Sequence, residues 1–188
     1  MAKLNFKETH LKGAFIIEPN AFVDHRGFFA RIFCENELKQ QGLKYKIVQA
    51  NHSKSVGKGT IRGMHYQLQP FAETKIIKCI KGRIFDVIVD LKKDSPTFLN
   101  WFGIELTEEN KKMLYVPEGF AHGFQALEEE VEMIYFATAF YNLESERGIR
   151  FNDNKVGIKW PINENIITSE KDKTIQLVDD NFEGIILE

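Results

Sequence analysis

Cysteine is nearly absent. Only Cys34 and Cys79 occur among 188 residues, far apart and in no Cys-x-x-Cys pair, which argues against a disulfide framework and a zinc ribbon. An excess of positive charge is also missing: 25 Lys and Arg stand against 27 Asp and Glu, a formal net charge of −2. No basic field is available to recruit nucleic acid or an anionic membrane, so an anionic ligand must be met by a few placed Arg and Lys side chains. No apolar run approaches the roughly 20 residues that span a bilayer. The stretch from Met1 to His10 carries no secretory apolar segment, and the expectation is a cytoplasmic protein with no membrane partner. Internal repeats, low-complexity tracts and Pro/Gly/Ser linkers are lacking too, so residues 1–188 are expected to form one domain.

What remains is an ordinary globular composition of a length that buries a sizeable core. Its one oddity is 16 Phe, which points to an aromatic-rich interior or interface. The pattern is mostly strand. Phe85, Val87, Val89 and Leu91 alternate on one face of a β-branched run from Ile84, and Lys81-Gly82 reads as the turn joining it to a strand over Thr74–Ile80. Further strands are expected over Lys46–Asn51, Asn100–Leu106, Lys112–Val116 and Val131–Phe140. Glu35–Gln41, closed by Gly42, is the best short helix. Many short strands, frequent turns and little helix predict an antiparallel sandwich or barrel.

Parity adds a hint of chemistry, because alternate side chains of a strand share a face. Val131, Met133, Tyr135, Ala137 and Ala139 form an apolar face with one phenol, and Lys75 shares a face with Ile77 and Cys79. Singly, each is a core-edge tyrosine or a snorkelling lysine. Together, on inward-looking faces of a small barrel, they suggest a lined pocket.

Two of the five histidines lie in dense, turn-rich contexts: His65 in Thr60-Ile61-Arg62-Gly63-Met64-His65-Tyr66-Gln67, and His122 in Pro117-Glu118-Gly119-Phe120-Ala121-His122-Gly123-Phe124. The second segment fits the Pro-x-Gly-x-x-His pattern of cupins, small jelly-roll barrels that commonly bind a metal through His-x-His, a Glu and this later His. Here the His-x-His position reads His65-Tyr66-Gln67, so an amide replaces one imidazole and metal binding is not favoured.

The chain resembles the dTDP-4-dehydrorhamnose 3,5-epimerase family, which acts on nucleotide-linked 4-keto-6-deoxy sugars. The resemblance rests on an ordered set of stretches: Asp24-His25-Arg26-Gly27-Phe28-Phe29, Gln49-Ala50-Asn51-His52-Ser53, Arg62–Gln67, Gly82–Asp90, Asp94-Ser95-Pro96-Thr97-Phe98, Val116–Phe124 and Ser169-Glu170-Lys171-Asp172. It implies an all-β, cupin-type jelly-roll barrel or sandwich with a few short helices, assembled as a homodimer and needing no metal or organic cofactor. The implied chemistry uses the C4 ketone to acidify the C–H bonds at C3 and C5. A base removes a proton, an acid returns one from the opposite face, and a cation or hydrogen bonds meet the developing oxyanion.

Carried over residue by residue, the resemblance makes His65 the base, Asp172 the carboxylate that orients it, Tyr135 the acid and Lys75 the cation beside the C4 oxygen. Arg62 and Arg26 match ligand contacts, Arg26 reaching in from the partner subunit. Gln49, Asn51 and Tyr141 match further contacts, and the ring of Phe29 is suited to stacking on the nucleobase. Asp86 and His122 are a supporting pair. Without the resemblance, His65 reads as a satisfied barrel histidine, Arg62 as a rim ion pair, Arg26 as part of a turn, and Asp172 as a solvated turn or helix cap.

Arg31 stands where many members of the family carry a Glu, and it makes another nucleotide such as CDP an alternative to dTDP. A single-centre epimerase acting at C3 or C5 is the nearest alternative and a metal-dependent cupin using His65 and His122 a more distant one, while His65, Tyr135 and Asp172 together argue against a non-catalytic sugar-nucleotide binder.

Overall fold

The computed structural model describes residues 3–187. The chain opens with strands β1 (Leu4–Glu8), β2 (Phe15–Pro19), β3 (Phe22–Asp24) and β4 (Gly27–Phe29), then helix α1 (Glu35–Gln40). Next come β5 (Gln49–Val56), β6 (Ile61–Gln67), β7 (Lys75–Lys81), β8 (Arg83–Asp90) and β9 (Trp101–Thr107). The last elements are β10 (Met113–Val116), β11 (Phe120–Ala126), β12 (Glu130–Ala137), β13 (Glu146–Gly148) and helix α2 (Glu170–Thr174).

One antiparallel sheet runs β1-β2-β10-β7-β12-β5 and a second runs β13-β6-β11-β8-β9, while β3 and β4 form a separate hairpin. The two large sheets face each other in the expected jelly-roll arrangement. Between them Ile77 and Cys79 of β7 and Val131 and Met133 of β12 meet Ile84 and Ile88 of β8 and Phe120 and Phe124 of β11. The parity read for β7 and β12 is therefore the inward parity, and the even positions of β12 turn outward, as Glu130 and Glu132 do. On β8 the alternate set Val87 and Val89, with Leu91 just beyond the strand, faces away from this core. It packs under Trp160, Val156, Val178 and Ile185 of the C-terminal segment, so β8 is buried on both faces.

The expected helix forms over Glu35–Gln40, with Gln41 as its C-cap. Gly42 at φ +70° lets the chain leave the helix, its N–H donating to Lys39 O. Leu38 packs down onto Ile17, Ile76, Met113 and Tyr115 on the outer face of the larger sheet. Strand β5 differs from its expected span: it begins at Gln49 and runs to Val56. Ile47, inside the expected span, and Tyr45, just before it, pack in the cluster beneath α1. The strand itself turns Asn51, Ser53 and Ser55 inward, an alternation with no hydrophobic signal. Strand β12 ends at Ala137, so Ala139 lies beyond it.

Candidate active site

Strands β6 and β11 pair with His65 opposite His122, and the ladder shifts register between His122 and Phe124. Two glycines make this crossing. A Cβ on Gly63, whose φ is +121°, would lie 2.6 Å from Gly123 Cα, and one on Gly123 would lie 2.7 Å from Arg62 O. Only glycine allows the backbones so close, and the approach fixes where Arg62 and His65 leave the strand.

His65 Nε2 lies 2.7 Å from Asp172 Oδ1. A carboxylate accepts, so Nε2 carries the hydrogen and the lone pair is on Nδ1. Asp172 comes from α2, whose N-cap Ser169 accepts the Asp172 backbone N–H at 3.0 Å, and its second oxygen accepts the Gly63 N–H at 3.4 Å. Far from being a solvated turn, Asp172 is 3% exposed. Burial works against its charge, but the hydrogen bond and charge of His65, with Gly63 and Ser169, hold the carboxyl below its ordinary range. Behind His65, His122 Nε2 sits 2.8 Å from Oδ1 of the fully buried Asp86, whose Oδ2 has no partner among the described residues.

The facing sheet supplies the other wall. Tyr135 of β12 stands opposite Asn51 of β5 and Ile77 of β7, and Lys75 lies diagonally beside it across from Ala137. The Lys75 ammonium is 3.0 Å from Glu73 Oε1, both side chains being only 12% exposed. Burial raises the Tyr135 phenol above its usual value; the Glu73 charge adds to this, Arg62 opposes it and Glu146 adds a little more.

Between these walls lies a half-open cavity of about 600 Å³ whose lining includes His65, Asp172, Tyr135, Lys75, Arg62 and His122. Arg62 donates from Nε to Ser55 Oγ at 2.9 Å and from Nη2 to Lys54 O at 3.2 Å. Gln49 donates to Asn51 Oδ1 and accepts the Tyr141 N–H, and the Tyr141 hydroxyl donates to Glu146 Oε2 at 2.8 Å. Lys171 bonds the same Glu146 oxygen. Burial disfavours the Glu146 charge, yet Lys171 and Tyr141 hold its carboxyl low.

Gln49, Asn51, Tyr141 and Asp86 are not in the lining of this cavity, and neither are Arg26 and Phe29. The last two belong to the exposed β3–β4 hairpin, where Arg26 is bonded to Asp24 and Phe29 is 67% exposed. Arg31 follows the hairpin and pairs with Glu37 of α1 at 2.6 Å. The sequence reading missed Ser53, Lys171 and Glu73. Inward parity with Asn51 would have found the first, and adjacency to Asp172 the second.

A cupin metal does not fit. The residues at 65 and 122 have Nε2 on carboxylates, and Gln67 donates to Phe71 O and Phe140 O while accepting the Asn142 N–H. Among the described residues, no three His, Cys, Asp or Glu side chains gather as a metal set. Nor, among the described residues, is any helix long and apolar enough to cross a membrane.

Residues 8–180 match the family model described as dTDP-4-dehydrorhamnose 3,5-epimerase. The dTDP-4-dehydrorhamnose 3,5-epimerase of Shigella flexneri is 45% identical over 170 residues, 90% of this chain and 93% of that protein. The dTDP-6-deoxy-D-glucose-3,5-epimerase of Legionella pneumophila, solved in complex with dTDP-4-keto-L-rhamnose, superposes with a TM-score of 0.91 at 36% identity, covering 99% of this chain and 100% of that one. The Bacillus anthracis enzyme, solved with TDP and PPi bound, gives a TM-score of 0.90 at 40% identity over 94% of this chain and 100% of that one.

Proposed function

Since the chain belongs to the dTDP-4-dehydrorhamnose 3,5-epimerase family and shares its cupin-type jelly roll, we propose that its cavity epimerises a dTDP-4-keto-6-deoxyhexose at C3 and C5 through an enolate. The observation that carries this reading is His65 of β6, bonded to Asp172 of α2, lining one cavity with Tyr135 of the facing sheet.

The ketone at C4 makes the C3 and C5 protons acidic. His65 takes one of them on Nδ1, the nitrogen left free by Asp172, and Asp172 stabilises the imidazolium that results. Tyr135 delivers a proton from the opposite face of the ring, inverting the centre, and its burial favours the protonated phenol that this requires. Lys75 meets the charge developing on the C4 oxygen. Arg62 meets the diphosphate, and Gln49, Asn51 and Tyr141 supply the remaining ligand contacts. The Asp86–His122 pair fixes β11 behind His65. The chemistry asks for no metal or organic cofactor.

Residues 1–188 act as one domain, and the working unit is a cytoplasmic homodimer. The exposed Phe22, Phe28 and Phe29 of the hairpin support that assembly, in which Arg26 and Phe29 complete the partner's site. Arg31 keeps a CDP-linked substrate as the second reading, since a basic residue bound to Glu37 stands at the end of that hairpin.

The test is proton NMR in deuterated buffer with dTDP- and CDP-4-keto-6-deoxyglucose in separate tubes. Loss of both the C3 and C5 signals from the dTDP sugar, with inverted product, is expected. Loss of one signal makes the enzyme a single-centre epimerase, exchange with the CDP sugar alone reassigns the nucleotide, and no exchange with either overturns the reading.

A further inference from the structure

Glu73 has no part in the proton transfers above, yet it is a nearly buried carboxylate paired with a lysine that lines the cavity. It lies 3.0 Å from the Lys75 ammonium, on the short segment that leads into β7. Lys75 and Tyr135 are diagonal neighbours on the inner face of one antiparallel pair, close enough for long side chains to interact. A lone ammonium beside a phenol stabilises the phenolate and would draw Tyr135 toward losing the proton it must give. A carboxylate on that ammonium cancels the pull.

We propose that Glu73 is a positioning residue: by pairing with Lys75 it fixes the ammonium in the cavity and neutralises its field at Tyr135, so that Tyr135 works as an acid and not as a phenolate. This rests on Tyr135 being the acid. Other charges also act on the phenol, Arg62 lowering it and Glu146 raising it, but neither stands on the sheet that carries Tyr135. Arg62 and His65 reach the cavity from β6, and Glu146 stands on β13. Lys171 and Asp172 of α2 complete the ring, but Lys171 is bonded to Glu146 and Asp172 to His65, while β5 offers only uncharged side chains on its inner face. Lys75 is the cation that shares the sheet face with Tyr135, and Glu73 is its carboxylate. After each turnover the phenolate must recover its proton from solvent, and the same negative charge favours that return.

The experiment follows Tyr135 directly, by NMR titration of protein labelled with ¹³Cζ-tyrosine, the Tyr135 resonance being assigned from its absence in Tyr135→Phe. Glu73→Gln is expected to ionise Tyr135 at lower pH than the wild type and to move the basic limb of kcat the same way. Glu73→Asp keeps the charge and should keep the wild-type midpoint. Removing both partners in Glu73→Gln/Lys75→Met should bring the midpoint back toward the wild type, because the ammonium is gone as well. This pair of neutral residues also serves if Glu73→Gln alone fails to fold; then Lys75→Met alone, which leaves Glu73 unopposed, must move the midpoint to higher pH than the double variant. Folded variants whose Tyr135 midpoint matches the wild type throughout would overturn the proposal. The titration needs no substrate, so a wild-type protein that exchanges neither C3 nor C5 hydrogen would sink the epimerase reading and leave this result standing.

Discussion

His65 and Asp172 are 107 residues apart in the chain and 2.7 Å apart in the fold. The contact joins an inner strand of one sheet to a helix of five residues near the end of the chain. Because Asp172 occupies Nε2, the free lone pair of the imidazole lies on Nδ1, and the carboxylate decides which tautomer the cavity meets.

Asp172→Asn should therefore remove catalysis without removing the ligand. The amide Oδ1 or Nδ2 can bond either tautomer, so the hydrogen is no longer confined to Nε2 and the imidazolium loses its counter-charge. A fall in kcat of about 10²–10⁴-fold is expected, with TDP affinity by calorimetry within a few-fold of the wild type. A variant that turns over at near wild-type rate would remove Asp172 from the mechanism.

The same carboxyl links stability to acid. Its folded value lies below its unfolded value of about 3.9, so the native state holds the charge and gains stability from it above that pH. The gain disappears as pH falls through the folded value. In urea unfolding, the deficit of Asp172→Asn relative to the wild type should be wider at pH 7 than at an acid pH, where the carboxyl takes up its proton. An equal gap at both pH values would mean the loss comes from packing and not from the charge.

Much of this was legible in the sequence, for physical reasons that also explain what was not. Helix α1 has a clean C-terminal stop at Gly42 and a buried Leu38, and it formed within one residue of its expected span. The inward faces of β7 and β12 followed from parity, since most of their inner residues are apolar. Strands β6 and β11 left no such trace. Their glycines and histidines serve the Gly63–Gly123 approach and the cavity, and a strand that carries function on its inner face loses its hydrophobic alternation. Asp172 could be placed only through the family resemblance, because a contact across 107 residues has no local pattern. Glu73 was missed because its meaning lies in a lysine two residues on and a tyrosine on another strand.

Gly63→Ala should damage the site through the backbone. Its φ of +121° strains any L side chain, and the added Cβ would meet Gly123 Cα at 2.6 Å and His122 O at 2.8 Å. Strands β6 and β11 must part, which is expected to cost about 1–3 kcal/mol in denaturant unfolding and to displace His65. Gly157→Ala is the control: its φ is also positive, at +63°, but the nearest atom to an added Cβ is Asn154 O at 3.7 Å. It should lose less stability and keep its activity. Equal losses would mean that backbone strain, and not the closeness of the strands, sets the cost.

The hairpin makes a prediction that only a shared site can satisfy. Arg26 is exposed and, among the described residues, bonded only to Asp24 of its own turn, while Tyr135 lines the cavity of its own chain. If each cavity is completed by the partner's hairpin, Arg26→Ala and Tyr135→Phe disable different halves of the same composite site. Homodimers of either variant then contain two damaged sites. A mixed dimer contains one site with both changes and one with neither, the intact site combining Tyr135 of the first variant with Arg26 of the second. Unfolding and refolding the two inactive proteins together at equal amounts should restore about a quarter of wild-type activity, because half of the dimers are mixed and each has one working site. Recovery should follow the fraction of mixed dimer resolved by native mass spectrometry. If mixed dimers form and activity stays at the sum of the separate variants, Arg26 acts within its own chain or outside the site, and the exposed hairpin needs another explanation.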